Sequence, residues 1–270
     1  MLRFLYDTIP GRMLLKLLTC PAISKLCGSF LDSRFSKVLI GPFVRANSID
    51  LSLFYSDDFK CFNDCFARHI RPGNRVFDVS PGAFCSPCDG LLTVYPVTGQ
   101  TVIPVKQSRY DIARLLHSRK LAKRYEGGYC LVYRLCVNHY HRYAYIDRGV
   151  KGVNHFIKGK LHTVQPVALE KVPVFTENSR EFTVMNTDNF GKIVQVEVGA
   201  MLVGRIQNNH GRHVFLRGEE KGCFMYGGST IILLVEKDRV VIDEKILKSS
   251  EKGIETPIEM GQCVGTKKTI

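Results

Sequence analysis

Apolar residues in the first seventy or so positions recur at the spacing of short helices. The first predicted helix begins at Asp32 or Ser33 and ends at Gly41-Pro42, since small polar residues start helices and glycine and proline stop them. A second predicted helix ends at Pro72-Gly73. Its apolar face repeats at three- and four-residue steps through Phe59, Phe62, Phe66 and Ile70.

After Pro72-Gly73 the pattern becomes that of β-strands. Runs rich in β-branched and aromatic residues are bounded by glycine, proline or charge, which is typical of strands. The predicted strands are Leu91–Val97, Cys130–Val137, Lys192–Ile206, Thr230–Val235 and Arg239–Asp243. One helix is predicted among them, from Ile112 to Leu121, and Gly127-Gly128 ends it.

The two patterns together predict an α+β protein. Residues 1–73 form a helical, membrane-associating N-terminal region, and residues 74–270 form a β-rich, barrel- or sandwich-like catalytic domain. A chain of 270 residues is long enough for such an arrangement around a sizeable core.

The charge balance indicates a polyanionic partner. The chain has 38 Lys and Arg residues against 25 Asp and Glu residues, a net charge of +13. Nothing in the sequence matches a nucleic-acid-binding motif, so the predicted partner is an anionic membrane surface. No apolar run reaches the ~18–20 residues of a membrane span. The first eighteen residues alternate cations with leucines, which suits either a helix on the bilayer surface or one packed on the protein's own core.

Ten cysteines without a secretory signal indicate a reducing compartment. The expected location is therefore the cytoplasmic side of the cell membrane, as a peripheral protein. Cys61-x3-Cys65 and Cys85-x2-Cys88 offer an alternative, because four thiolates can hold a structural zinc. Since free cysteine is a common small buried hydrophobe, the sequence is interpreted as having no metal site.

Three polar residues in apolar surroundings are of the types that together can activate a nucleophile. They are Asp89, His141 and Ser229. A carboxylate can orient an imidazole, and the imidazole can take the proton of a hydroxyl, which activates the hydroxyl as a nucleophile. Ser229 lies within Tyr226–Val235, where two glycines precede it and an apolar run follows it. This context suits an ordinary turn equally well.

The surrounding segments make the case more specific. Six segments are distinctive, in this order along the chain: Phe62–Arg75, Ser86–Gly90, Tyr140–Tyr143, Glu197–Ile206, Arg217–Thr230 and Gly253–Gly265. Together they resemble the phosphatidylserine decarboxylase proenzyme family, which is pyruvoyl-dependent and self-cleaving, and the resemblance runs over nearly the whole chain. The hallmark of the family is a Gly-Ser-Thr segment, which here is part of Gly-Gly-Ser-Thr.

The resemblance implies a self-processing enzyme. The chain would cut itself between Gly228 and Ser229, with His141 as the base and Asp89 orienting it, and Ser229 would become a covalent pyruvoyl cofactor. That group acts as an electron sink while phosphatidylserine loses CO2 and becomes phosphatidylethanolamine. The resemblance further implies a heterodimer of the two cleavage fragments, open to further oligomerisation, that acts on phosphatidylserine in anionic membranes and binds no nucleic acid.

Two departures from the family pattern complicate the assignment of roles. The family usually has Asp-Tyr-His-Arg-x-His at the histidine motif, but here His139 replaces the aspartate and Ala144 the second histidine. His141 would serve both self-cleavage and decarboxylation, or His139 or His162 would take one role. His210 and His213 are predicted to lie in a solvated basic turn.

Two alternative functions stay open on the sequence. One keeps the pyruvoyl chemistry and changes the substrate to another amino-bearing carboxylate. The other is an unprocessed homologue that only binds lipid, which the loss of the second histidine favours.

Overall fold

The structure is a computed structural model. It describes residues 4, 7–8, 10–11, 13, 15, 19, 21–55, 58–98, 102–105, 108–164, 168, 172–200, 205–226 and 229–269. The α-helices are α1 (Pro21–Leu31), α2 (Ile40–Ala46), α3 (Phe62–Phe66), α4 (Ile112–Leu116), α5 (Arg119–Lys123), α6 (Val174–Glu177) and α7 (Glu244–Glu251). Short 3₁₀ helices cover Arg34–Leu39 and Leu51–Leu53.

The first strand begins at Ala83, after α3, and helices α4 to α7 lie among the strands. The strands are β1 (Ala83–Cys85), β2 (Gly90–Pro96), β3 (Val102–Val105), β4 (Ser108–Asp111), β5 (Tyr129–Leu135), β6 (Arg142–Ala144), β7 (Gly149–Ile157), β8 (Arg180–Thr187), β9 (Gly191–Val198), β10 (Ile206–Asn208), β11 (His213–Phe215), β12 (Glu220–Phe224), β13 (Ser229–Val235), β14 (Val240–Ile242), β15 (Thr256–Ile258) and β16 (Cys263–Lys267). The predicted α+β class is confirmed. The proposed boundary at residue 73 stays a prediction.

An eight-stranded antiparallel sheet forms the centre, in the order β11-β7-β8-β9-β13-β5-β2-β15. Strand β13 lies between β9 and β5, and all its residues are buried. One face of the sheet packs on helices α4, α5 and α6. The other face packs on two three-stranded sheets, β1-β16-β14 and β10-β12-β6. Because β13 is covered on both faces, its run of apolar residues is the pattern of a fully buried strand.

Four predicted elements differ from the structure. The helix predicted to end at Gly41-Pro42 instead continues through them in α2, because a proline in the first turn of a helix has no N–H that the helix needs. The helix predicted from Phe59 to Ile70 is only α3. The chain then turns, and Ile70 pairs with Phe54 in a β-bridge.

The helix predicted from Ile112 to Leu121 is two helices. His117 adopts a left-handed conformation with φ of 50°, which ends α4. The Ser118 hydroxyl then accepts a hydrogen bond from the Leu121 N–H and caps α5. The predicted strand Lys192–Ile206 is β9 and β10, and residues 201–204 between them lie outside the described residues.

No helix among the described residues combines the length and apolar character that crossing a membrane requires. Most of the predicted surface helix at residues 1–18 lies outside the described residues.

Candidate active site

Ser229 is the first residue of the central strand. It pairs with Leu135 of β5 and is fully buried. Its Oγ has no hydrogen-bond partner among the described residues. Leaving a buried hydroxyl unpaired costs on the order of 1–3 kcal/mol, so such an atom in a folded protein needs an explanation. Gly227 and Gly228, which precede it, lie outside the described residues.

His141 is a buried, neutral imidazole with one free nitrogen among the described residues. Its Nδ1 lies 2.9 Å from the carbonyl oxygen of His139. A carbonyl can only accept, so Nδ1 carries the proton and Nε2 presents a lone pair. Nε2 has no partner in the described part of the chain. Burial lowers the pKa of His141 to about 3, so the ring is neutral at physiological pH.

The chain that leads to Ser229 runs directly past His141. The Phe224 N–H donates to the His141 carbonyl at 2.9 Å, as β12 continues beyond its pairing with β6. The Phe66 ring lies 4.1 Å from the His141 ring and 5.2 Å from the Tyr226 ring, centroid to centroid. Helix α3 therefore packs against both the imidazole and the last described residue before the serine. Ser229 Oγ and His141 Nε2 do not hydrogen bond to each other in this structure.

Asp89 is buried at the same end of the sheet but is already fully bonded. Its two carboxylate oxygens each accept from the Arg75 guanidinium at 2.7 Å, and Oδ1 also accepts from the Met260 N–H at 2.8 Å. Neither ring nitrogen of His141 contacts it. The expected direct orientation of His141 by Asp89 is therefore not formed here, because Arg75 takes the carboxylate and the His139 carbonyl takes the imidazole N–H.

Arg68 supports the loop that holds His141, a role that the sequence did not predict. It is 1% exposed, and its Nη2 donates to the carbonyls of Asn138 at 3.0 Å and His139 at 3.2 Å. The His139 carbonyl thus receives hydrogen bonds from both Arg68 and the His141 ring. The Arg68 guanidinium stacks on the Phe54 ring at 4.3 Å, and its Nε has no partner among the described residues. The only available signal was its position within Phe62–Arg75, a segment that carried the family resemblance.

A cavity of about 250 Å³ lies beside these residues. Its wall includes five charged residues and one histidine: Asp50, Arg68, Arg75, Asp89, Glu259 and His139. Strand register places it near Ser229. Leu91 and Arg134 are paired, so Gly90 lies beside Leu135, and Ser229 lies on the other side of Leu135. With strands about 4.8 Å apart, Gly90 is roughly 10 Å from Ser229 along the sheet.

The two substitute histidines occupy different positions. His139 is half-buried, lines the cavity, and accepts the Cys136 N–H on Nδ1 at 3.0 Å. Burial lowers its pKa and also that of His162. His162 is held through its backbone by the Asn178 amide, which also donates to the Gly199 carbonyl just after β9. His162 is therefore at the Ser229 end of the sheet, with Nε2 3.8 Å from a Glu177 oxygen.

The four cysteines of the zinc alternative do not form a cluster among the described residues. Three of them are buried. Burial raises the pKa of the Cys65 and Cys85 thiols to about 11 and also raises that of Cys88 well above its ordinary value. A raised pKa disfavours the thiolate that zinc needs. Ala144, at the position of the family's second histidine, is buried in β6.

The buried Ser229 hydroxyl and the buried neutral His141 imidazole, with a charged cavity nearby, are the features of a candidate active site. The family model described as phosphatidylserine decarboxylase matches residues 62–266. The chain is 43% identical over 265 residues to phosphatidylserine decarboxylase proenzyme 2 of Clostridium acetobutylicum, covering 98% of this chain and 91% of that protein. It is 39% identical over 273 residues to the phosphatidylserine decarboxylase proenzyme of Clostridium kluyveri, covering 98% and 92%. The chain belongs to the phosphatidylserine decarboxylase family and is a carboxy-lyase.

Proposed function

We propose that this chain is a self-processing phosphatidylserine decarboxylase, which cleaves its own Gly228-Ser229 bond and releases phosphatidylethanolamine and CO2 from phosphatidylserine. One observation carries the proposal. Ser229 Oγ and His141 Nε2 are both buried and both lack a hydrogen-bond partner among the described residues, and Phe224, five residues before Ser229, is bonded to the His141 backbone. A nucleophile and a base that are each free of other partners are available to one another.

In the first step His141 Nε2 takes the Ser229 Oγ proton, and Oγ bonds to the Gly228 carbonyl carbon. The carbon–nitrogen bond breaks as the Ser229 nitrogen receives that proton, so an ester replaces the amide. The low pKa of His141 keeps the ring neutral at physiological pH, so Nε2 has a lone pair to accept the proton. Removal of the Ser229 α-proton then expels the Gly228 carboxylate, and water converts the remaining dehydroalanine into a pyruvoyl group and ammonia.

The residues around Ser229 fit the pyruvoyl group that this cleavage would create. Loss of the serine hydroxyl leaves no described hydrogen-bond partner unpaired, because Oγ has none. The group would supply the electron sink for loss of CO2. Strand β13 pairs with β5 on one side and β9 on the other, so the fragment that begins at Ser229 would stay inserted in the sheet. We therefore expect the two fragments to remain together as a heterodimer.

In this proposal the cavity holds the lipid headgroup. Arg68 and Arg75 present cationic groups there, and guanidinium groups bind phosphate and carboxylate oxygens well. Arg68 also fixes the His139 carbonyl, which in turn fixes the proton of His141 on Nδ1. Asp89 supports the same wall by binding Arg75 and the Met260 amide. His139 lines the cavity and is placed to exchange protons with a bound headgroup.

The N-terminal helices supply the proposed contact with the membrane. Leu26, Phe35 and Val38 are 72%, 81% and 75% exposed, and Arg34 and Lys37 beside them are also exposed. Apolar side chains flanked by cations are typical of proteins that bind the surface of an anionic bilayer. Ser48–Phe54, shortly after α2, contributes to the cavity wall, so a headgroup would enter next to this surface. We propose peripheral binding at the cytoplasmic side of the cell membrane.

The test is the mass of the purified chain together with its activity on lipid. We expect a large fragment that ends at Gly228 and a small fragment that resists Edman degradation, because a pyruvoyl end has no amine. Cyanoborohydride with phosphatidylserine should attach the substrate amine to the small fragment. Ser229→Ala should remain a single chain. A single full-length chain in folded wild-type protein would mean an unprocessed lipid-binding homologue. Two fragments with activity on a soluble amino acid, and none on phosphatidylserine vesicles, would mean a different substrate.

A further inference from the structure

The turns on either side of β11 bring two imidazoles and a carboxylate together. His213 Nε2 lies 2.6 Å from Glu219 Oε1, and His210 Nε2 lies 3.9 Å from the same oxygen. The two imidazole rings are stacked, with centroids 3.8 Å apart and planes within 11° of parallel. The three donor atoms all lie within 4.8 Å of one another, and this is the one such group of three or more His, Cys, Asp or Glu among the described residues. His210 and His213, which are predicted in a solvated basic turn, are each about one-third exposed.

The surrounding contacts hold the three side chains in place. The Leu216 N–H donates to Glu219 Oε2 at 3.0 Å, which leaves Oε1 to face the imidazoles. The Tyr145 hydroxyl lies 3.5 Å from His210 Nδ1, and its ring stacks on Phe215 beside the histidines. Lys151, which is buried, donates to the His210 carbonyl at 2.7 Å and fixes the turn. Hydrogen bonds to the far side of ligand groups are a regular feature of metal sites.

The donor set matches the preferences of zinc. Two imidazole nitrogens and one carboxylate oxygen are a common three-ligand set for Zn²⁺, with the remaining position left to water. Bond lengths of about 2.0–2.2 Å in a tetrahedron place donors roughly 3.3 Å apart. The observed separations of 2.6 and 3.9 Å to Glu219 Oε1 therefore need to change by less than about 1 Å. The partial exposure of all three side chains gives the ion a path from solution.

We propose that His210, His213 and Glu219 bind a Zn²⁺ ion or a similar borderline divalent cation. The ion would join the turn between β10 and β11 to the turn before β12. Strand β12 leads to Tyr226 and then to the cleavage segment, so the ion would brace the framework of that segment from outside. The site does not depend on the proposed function, because none of its ligands belongs to the proposed catalytic group.

The test is direct binding of Zn²⁺ and Co²⁺ by calorimetry and absorption. Both the wild type and Ser229→Ala are titrated, so that the result is independent of processing. We expect one equivalent bound with a micromolar or tighter Kd, and a rise in Tm on adding zinc. His210→Ala, His213→Ala and Glu219→Gln should each weaken binding at least ~10-fold. The matched control is His155→Ala, because His155 is an exposed histidine on β7 that stacks on Phe182; it should bind as the wild type does.

Three results would overturn the proposal. The first is a Kd in the millimolar range or weaker, which would leave only a hydrogen bond between His213 and Glu219. The second is tight binding that His213→Ala and Glu219→Gln leave unchanged. The third is a thiolate-to-cobalt charge-transfer band, which would place the metal on cysteines. The Tm of each variant without metal reports folding, and Glu219→Gln keeps the size of the side chain if an alanine variant fails to fold.

Discussion

Two buried polar pairs lie at the same end of the central sheet and differ in how their atoms are satisfied. The Asp89–Arg75 pair is complete: both carboxylate oxygens accept from the guanidinium at 2.7 Å, and a backbone amide adds a third hydrogen bond. The Ser229–His141 pair is open, because Oγ and Nε2 each lack a partner in the described part of the chain. The satisfied Asp89–Arg75 ion pair fixes part of the cavity wall. An unsatisfied hydroxyl and imidazole cost free energy, and their proposed chemistry accounts for that cost.

The comparison also separates the residues that hold His141 from those that react with it. Three hydrogen bonds converge on the loop at His139: two from Arg68 to the Asn138 and His139 carbonyls, and one from the His141 ring. A backbone carbonyl sets the imidazole tautomer here, which is the task that a carboxylate performs in a Ser-His-Asp triad. A carbonyl has no full charge, so it stabilises a protonated ring less than a carboxylate does. Burial lowers the pKa of His141, and the hydrogen bond to the His139 carbonyl offsets only part of that effect.

The largest effect after loss of Ser229 is expected from His141→Ala. Removing a positioned general base slows its reaction by about 10²–10⁴-fold, so most of the chain should remain uncut. The ratio of uncut to cut chain is followed on denaturing gels after cell-free synthesis. His139→Ala and His162→Ala are the matched controls and should cleave near the wild-type rate. If His141→Ala cleaves normally and one of the controls does not, that control residue is the base.

The sequence predicted the strand that begins at Ser229 more reliably than it predicted the contacts of the residues that surround it. The apolar run after Ser229 was recognised within one residue of β13, because a strand buried on both faces leaves a continuous apolar pattern. Asp89 accepts hydrogen bonds from the Arg75 guanidinium and the Met260 N–H, and Arg68 donates to the carbonyls of Asn138 and His139. These partners are distant in sequence, and no local pattern encodes such bonds. His210 and His213 were assigned to a solvated turn because Glu219 joins them only when the chain folds around β11.

A sharper test of the comparison sets Asp89→Asn against Arg75→Gln. If Asp89 acts only through the cavity wall, both variants should slow self-cleavage to a similar, modest extent. Each should also lower the free energy of unfolding by about 3 kcal/mol, because each leaves one partner of a nearly buried ion pair uncompensated. Urea unfolding in the uncut Ser229→Ala background measures the second effect. Loss of cleavage in Asp89→Asn alone would restore Asp89 to a direct role on His141.

The dry environment of His141 predicts that stability depends on pH. Its folded pKa of about 3 lies below the ordinary 6.5 because burial disfavours the charged ring, so protonation favours the unfolded chain. The contribution of neutral His141 to the free energy of unfolding is complete at pH values well above 6.5. It decreases as the pH falls toward 3. The loss at pH 5 is about 2 kcal/mol for this residue. His141→Asn should remove that part of the pH dependence in urea unfolding of the Ser229→Ala protein, whereas His155→Asn should not. If the free energy of unfolding depends on pH equally in both variants, His141 is not the source of that part of the pH dependence.

The smallest expected effect concerns two exposed apolar surfaces and which of them meets lipid. Phe35 and Val38 lie beside Arg34 and Lys37 on the N-terminal side, while Phe156 and Val214 lie on the outer strands β7 and β11 at 62% and 68% exposure. With a net charge of +13, binding to phosphatidylserine vesicles should weaken as salt rises, by at most about 1 kcal/mol for each cation near the surface. The Phe35→Ser, Val38→Ser double variant should bind vesicles roughly tenfold less well and still cleave itself. The matched double variant, Phe156→Ser and Val214→Ser, should bind as the wild type does. The two pairs are similar in size and exposure, so a reversed result would mean that the surface on β7 and β11 faces the membrane. Vesicle binding that does not depend on salt would mean that the net charge does not contribute to it.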